Sequence, residues 1–291
     1  MREADQHTTK TTTMFAGQSD LAVPGTGFSI LGIDAAWTEA NPSGVALVSQ
    51  TSGARWKLEA VTSSYAEFMV LSGHGRVPLT QSKGGFPDLK TLLEAADAIT
   101  GTRPKLIAVD MPLSSKPIIG RRAADDLVSR IYGARKCSTH TPSAFRPGKI
   151  SDNLRSEAER LGYTLATTAI GRLSLMEVYP HPALVELANA PERLPYKVAK
   201  ARKYWPTLPA PERQLKLREV WAAISAHLSG WIEGMELFDA RLAMALRPSE
   251  LKAAEDALDA IVCCWIGICA VEGRAQPFGD IDAAIWILQD V

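Results

Sequence analysis

Four carboxylates stand where an acid is costly to place. Asp34 closes the apolar run FSILGIDAAW (28–37), and Asp110 closes KLIAVDMPL (105–113) two residues before Pro112. Asp256 and Asp259 sit three residues apart in EDALDAIVCCW (255–265). Burying a carboxylate at the end of an apolar strand is unfavourable unless its charge is compensated. Neither Asp34 nor Asp110 is flanked in sequence by Lys or Arg. A bound cation would compensate them, and hard oxygen donors select Mg²⁺ or Mn²⁺ rather than zinc. Two such ions roughly 3.5–4 Å apart can position a water and stabilise the leaving oxygen of a phosphodiester. Taken singly, each acid also reads as a turn former, a helix cap or a solvated helix residue. The joint pattern carries the chemistry.

The elements that must bring these acids together follow from the apolar spacing. Runs at 28–37, 44–50 and 55–63, separated by Asn41-Pro42 and Ser52-Gly53, predict three strands in an antiparallel meander. Leu89, Leu92, Leu93, Ala96 and Ile99 recur at helical spacing within 86–100, with Pro87 suited to the first turn. The unbroken apolar stretch at 105–113 predicts a strand covered on both faces, and 173–180 another, each stopped by proline. Residues 181–247 read as helices interrupted by prolines. A last long helix is expected from an N-cap at Ser249 to Ala270, with Gly273 as its stop and a closing strand at 283–288. On that helix Leu251, Leu258, Val262, Trp265 and Cys269 form the apolar stripe. Asp259 falls on its shoulder and Asp256 about 60° further round.

This is a mixed α/β plan: one domain over 28–291, with insertions at about 114–170 and 181–247. Residues 1–27 read as a disordered leader, rich in Thr, Gln and charge and without the apolar core of a signal peptide. In 291 residues, 32 Lys+Arg balance 32 Asp+Glu, which excludes a uniformly basic nucleic-acid coat. No 18-residue apolar stretch is present, so no membrane span and a cytoplasmic location are expected. Cys137, Cys263, Cys264 and Cys269 form no CxxC pair and have no histidine at zinc spacing.

GID at the first strand, AVDMP, MEVYPHPAL and the helix motif DALDA resemble the ribonuclease-H-like superfamily, and roughly residues 28–290 are similar to the family called domain of unknown function 429. The helix motif also resembles the paired aspartates of bacterial Holliday-junction resolvases. The resemblance implies a ribonuclease-H-like mixed sheet, three antiparallel strands then parallel ones, with helices on both faces. It implies a nuclease in which Asp34, Asp110, Asp256 and Asp259 are catalytic metal ligands for Mg²⁺ or Mn²⁺. The superfamily's acid on the helix after the third strand is matched by no motif here. Glu177, in EVYP, is the expected substitute. In the family's arginine-plus-aspartate segment, RRAADD (121–126), Arg121, Arg122 and Asp125 are the expected substrate contacts.

The zero net charge conceals a segregation. Residues 116–155 hold nine Lys/Arg against three acids, and 193–218 hold eight against Glu212 alone, while 230–291 hold eleven acids and four bases. Basic segments bracketing an acidic helix suit a nucleic-acid partner, DNA or RNA. In YKVAKARKYW (196–205), Tyr196 could stack on a base while Lys197 and Arg202 grip phosphates; the same spacing suits a packed amphipathic helix. His181 reads as a hydrogen-bonded structural residue or a proton carrier. A non-catalytic nucleic-acid- or protein-binding member of the fold is the alternative expectation. An actin-like or sugar-kinase ATPase is disfavoured by Ala35-Ala36-Trp37, where backbone amides would have to reach phosphates.

Overall fold

A computed structural model describes residues 27–288 except 52, 74, 76–83, 86 and 87. The expected leader therefore lies, but for Gly27, outside the described residues. The first three strands, β1 (Phe28–Asp34), β2 (Gly44–Gln50) and β3 (Trp56–Thr62), form the antiparallel meander expected from the apolar runs. Helices α1 (Tyr65–Leu71) and α2 (Leu89–Thr100) lead into β4 (Leu106–Val109). Asp88 caps α2 by accepting the Thr91 N–H at 3.1 Å. The first insertion supplies α3 (Ala123–Tyr132), α4 (Lys149–Arg160) and the short β5 (Thr164–Leu165), followed by β6 (Ser174–Val178).

The second insertion contributes α5 (Pro180–Leu187), a 3₁₀ turn at Val198–Lys200, α6 (Ala201–Tyr204), α7 (Ala210–Ser229), β7 (Ile232–Glu233) and α8 (Glu236–Met244). The long helix α9 (Pro248–Val271) precedes the hairpin of β8 (Ala275–Gly279) and β9 (Ala284–Leu288). It starts one residue before the expected cap. Pro248 takes the first position, and the Glu250 carboxylate accepts the Leu246 and Arg247 N–H groups. Those bonds pull the Glu250 carboxyl down to about 2.

The strands make one mixed sheet in the order β7-β3-β2-β1-β4-β6-β9-β8, with β5 beside β6. β1, β4, β6 and β9 run parallel. This is the α/β architecture expected for a ribonuclease-H-like fold, with helices on both faces. Alternation along the strands divides the core. Ile30, Ala46, Val48, Leu106, Ala108 and Met176 face α5, α7, α8 and α9. Leu31, Ile33, Val45, Leu47, Ile107 and Leu175 face α1, α2 and α4. No helix among the described residues is long and apolar enough to cross a membrane.

Helix α9 departs from the expected single stripe, since every residue from Ala254 to Ala270 is buried. The second insertion is the cause: α5, α7 and α8 cover the helix face turned away from the sheet. A helix enclosed on all sides has no solvent-facing side on which to carry charge, and here that places the acids of α9 inside the protein. Two glycines let it lie directly on the strands. A Cβ on Gly32 would stand 2.3 Å from the Ala260 carbonyl oxygen, and one on Gly44 would stand 2.0 Å from that of Asp256. Gly44→Ala is therefore expected to lower stability by about 2 kcal/mol or more, because backbone must move to admit the methyl. A thermal melt equal to that of the parent would refute this packing.

Candidate functional site

β1 and β4 are adjacent and parallel, with Ile33 opposite Val109 and the Asp110 N–H donating to the Ile33 carbonyl at 2.9 Å. Asp34 and Asp110 thus follow each other across neighbouring strands, both on the face toward α9. They open into a cavity of about 560 Å³ whose walls include Trp37, His140, Arg146, Lys197, Lys252 and Asp256. Among the described residues neither carboxylate accepts a side-chain hydrogen bond or joins an ion pair.

Burial, then Asp259, Asp256 and Asp110, push the Asp34 carboxyl well above its ordinary range, with Lys197 opposing. Burial and then Asp259 raise Asp110 to about 7, again against Lys197. Those mutual repulsions mark the two strand acids and the acids of α9 as one cluster.

The acids of α9 are already partnered. Asp259 is fully buried, pairs with Lys197 and accepts the Tyr196 hydroxyl at 2.8 Å. Asp256 pairs with Lys252 one turn earlier. Glu255 takes Lys252 at 3.1 Å, Lys197 at 3.4 Å and the Val198 N–H at 2.5 Å. Burial works against the Lys197 charge, but Asp259, Tyr196 and Glu255 hold its pKa well above the usual lysine range. His181 is 3.0 Å from the Tyr196 hydroxyl, and burial followed by Lys197 depresses it well below its ordinary value, so it is neutral.

Several expected roles change. Asp34, Asp110, Asp256 and Asp259 do meet, but the four do not form one ligand set, because lysines occupy the two helix acids. Among the described residues no group of three or more acid, histidine or cysteine side chains is arranged to hold a metal ion.

Glu177 is not part of this face. It pairs in register with Val109, so alternation turns it to the other side of the sheet. There it receives the Arg122 guanidinium at 2.5 and 2.7 Å and the Leu113 N–H at 2.7 Å. Arg122 also binds Asp125 at 2.8 and 3.0 Å, which leaves this buried trio as the anchor of the loop after β4 rather than a substrate grip. Arg121 is spent on Asp126, Thr141, Ser129 and the Asp125 carbonyl. Tyr196 is wholly buried and cannot stack on a base, and Arg202 lies exposed on α6 outside the cavity walls.

The sequence reading missed Lys252, Glu255, His140, Arg146, Arg193 and Trp37. The first two were legible, since Lys252 precedes Glu255 and Asp256 by three and four residues, the spacing of neighbours on one helix face. The others come from loops with no periodic signal. Trp37 and His140 meet edge to face, ring centres 6.3 Å apart, at the cavity rim.

The family model described as protein of unknown function (DUF429) matches residues 32–283. The chain belongs to this family. The matched span runs from β1 to the turn before β9 and so takes in both strand acids and α9. No curated protein and no solved structure matches the chain.

Two measurements check these assignments. The native Asp110 carboxyl keeps its proton to about 7, whereas an unfolded one loses it near pH 4. Stability contributed here is therefore lost as pH rises through that window. In EDTA, Asp110→Asn should melt several degrees above the parent at pH 8 and level with it at pH 4. A parent that is the more stable at pH 8 would contradict the buried-acid account. Arg122→Met should cost about 3–5 kcal/mol by stranding Glu177 and Asp125; a denaturation midpoint within experimental error of the parent's would argue against the anchor.

Proposed function

We propose that this protein hydrolyses phosphodiester bonds in nucleic acid with the help of a divalent ion held by Asp34 and Asp110. The observation that carries the reading is the pair itself: two unpartnered carboxylates side by side on the floor of a cleft whose walls carry cations. The donor chemistry fits Mg²⁺ or Mn²⁺. Such ions commonly use one or two carboxylates, keep several waters and complete their shell with substrate phosphate. Among the described residues the five carboxylates (Asp34, Asp110, Glu255, Asp256, Asp259) form ion pairs with Lys197 and Lys252 alone, which leaves Asp34 and Asp110 unpaired and open to a further cation. When bound, such an ion supplies an activated water and charge stabilisation at phosphorus.

The chain's own residues divide the remaining work. Lys197 and Lys252 keep the helix acids from repelling an incoming phosphate, while Arg146 at the rim offers a fork that matches phosphate oxygens. Trp37 and His140 present aromatic edges beside the same opening, suited to an unpaired base.

The test is incubation of labelled single-stranded, duplex and branched DNA and RNA with Mn²⁺. Wild type should cut at least one of these, and Asp34→Asn or Asp110→Asn should reduce cutting on the order of 10²-fold or more. Cutting unaffected by both substitutions, or none at all by wild type, would sink the proposal.

The lysine pairs on Asp256 and Asp259 favour a second reading, a nucleic-acid-binding member in which lysines stand where a catalytic protein would hold metal. A melting temperature raised by Mn²⁺ in wild type, but not in Asp34→Asn, distinguishes the catalytic reading from this one.

A further inference from the structure

The cleft has a second lobe of about 470 Å³ that shares Asp110, Trp37, His140 and Arg146 with the first. Its charges do not balance. Arg122 is spent on Asp125 and Glu177, and Lys197 and Lys252 on the acids of α9. What remains unpaired is Arg146, Arg193 and Lys200, and among the acids lining the lobe Asp110 alone has no ion-pair partner among the described residues. Among the described residues none of these three cations makes an ion pair or donates a side-chain hydrogen bond.

They come from two separate segments, each fixed by its backbone. The Arg146 turn is closed by Ser143 N–H to the Arg146 carbonyl at 2.8 Å and by Arg146 N–H to that of Ser143 at 3.2 Å. The Arg193 N–H donates to the Arg135 carbonyl at 2.9 Å, and the Arg193 Nε is buried without a partner. Their closeness is felt by neighbours: burial and then Arg193 depress the Lys200 ammonium, and burial, Lys200, Arg193 and Arg146 depress His140. Uncompensated cations held together in a concavity are unfavourable until an anion joins them.

We infer that Arg146, Arg193 and Lys200 form a phosphate subsite beside the Asp34–Asp110 pair, and that its ligand is the terminal phosphomonoester of a nucleic-acid strand. Three unpaired cations, two of them forked guanidinium groups, offer donors to more oxygens than the two free ones of an internal diester, whereas a phosphomonoester presents three. A phosphomonoester carries close to two negative charges at neutral pH, whereas an internal diester carries one. The inference rests on the phosphodiesterase reading for what is attached to the phosphate, but the anion subsite stands apart from it. An end held in this lobe would place the strand's adjoining diester at the two aspartates and direct cutting to strand ends.

The experiment is calorimetric titration of the full chain with inorganic phosphate in EDTA. Saturable binding is expected in wild type, and no weaker in Asp34→Asn/Asp110→Asn, which loses the one unpaired carboxylate of this lobe. Arg146→Gln/Arg193→Gln should lose about tenfold or more, and Arg146→Lys/Arg193→Lys should keep most of it. With the aspartate variant, hexathymidylate bearing a 5′- or 3′-phosphate should bind about tenfold tighter than the unphosphorylated strand. That margin should vanish in the added Arg→Gln background, whose melting temperature verifies folding. Absence of saturable phosphate binding, binding indifferent to the Arg→Gln pair, or no gain from either end phosphate overturns the inference. Absence of cutting with phosphate binding intact overturns only the phosphodiesterase reading, and cutting without phosphate binding overturns only the subsite.

Discussion

A helix enclosed on every side must either be purely apolar or neutralise its charges internally. α9 does the second, and the cleft is organised around that necessity. Gly32 and Gly44 admit it to within contact of β1 and β2, and α5, α7 and α8 close over its outer face. Glu255, Asp256 and Asp259 are thereby carried indoors against the strand acids. Lys252 from the same helix and Lys197 from the second insertion answer them. The insertion is thus no appendage. It completes the burial that makes the acids unusual, and it delivers one of the two cations that make the burial tolerable.

Much of the scaffold was legible in the residues. The strand runs at 28–37, 44–50 and 105–113 announced themselves by continuous apolar character, and Asp34 and Asp110 by ending such runs. Their meeting follows from a parallel register that no sequence prints but that the fold class makes natural. Glu177 was misplaced for a definite reason. LMEV is buried on both faces, so the alternation that would have assigned its side was hidden, and only pairing with Val109 reveals it. α9 was misread because an amphipathic stripe was sought where 181–247 supplied a second covering layer. Helix spacing could have exposed Lys252. Arg146 and Arg193 could not have been found, because loop cations carry no period and their convergence is purely tertiary.

Counting bases along the chain also proved a poor guide to where positive potential lies. Lys116, Arg121, Arg135, Lys136 and Arg155 belong to the basic stretch, yet each is tied to an acid, Arg121 and Arg155 to near neighbours in sequence and the other three to distant segments. The field in the cleft comes from the few cations that pairing leaves over. The unpaired Asp34 lines the first lobe and the unpaired Arg193 and Lys200 line the second, so the opening presents free charge of both signs although the protein as a whole is neutral.

The Val198 N–H bound to Glu255 has a consequence of its own. The stretch from Arg193 to Lys200 has little regular structure apart from one 3₁₀ turn, so this cleft wall is riveted to α9 mainly through buried charge. Added electrolyte screens exposed cations strongly and enclosed pairs weakly. Raising ionic strength should therefore dull the attraction of Arg146 and Lys200 for distant anions while the rivet holds. The wall would keep its shape in brine that has already silenced its reach.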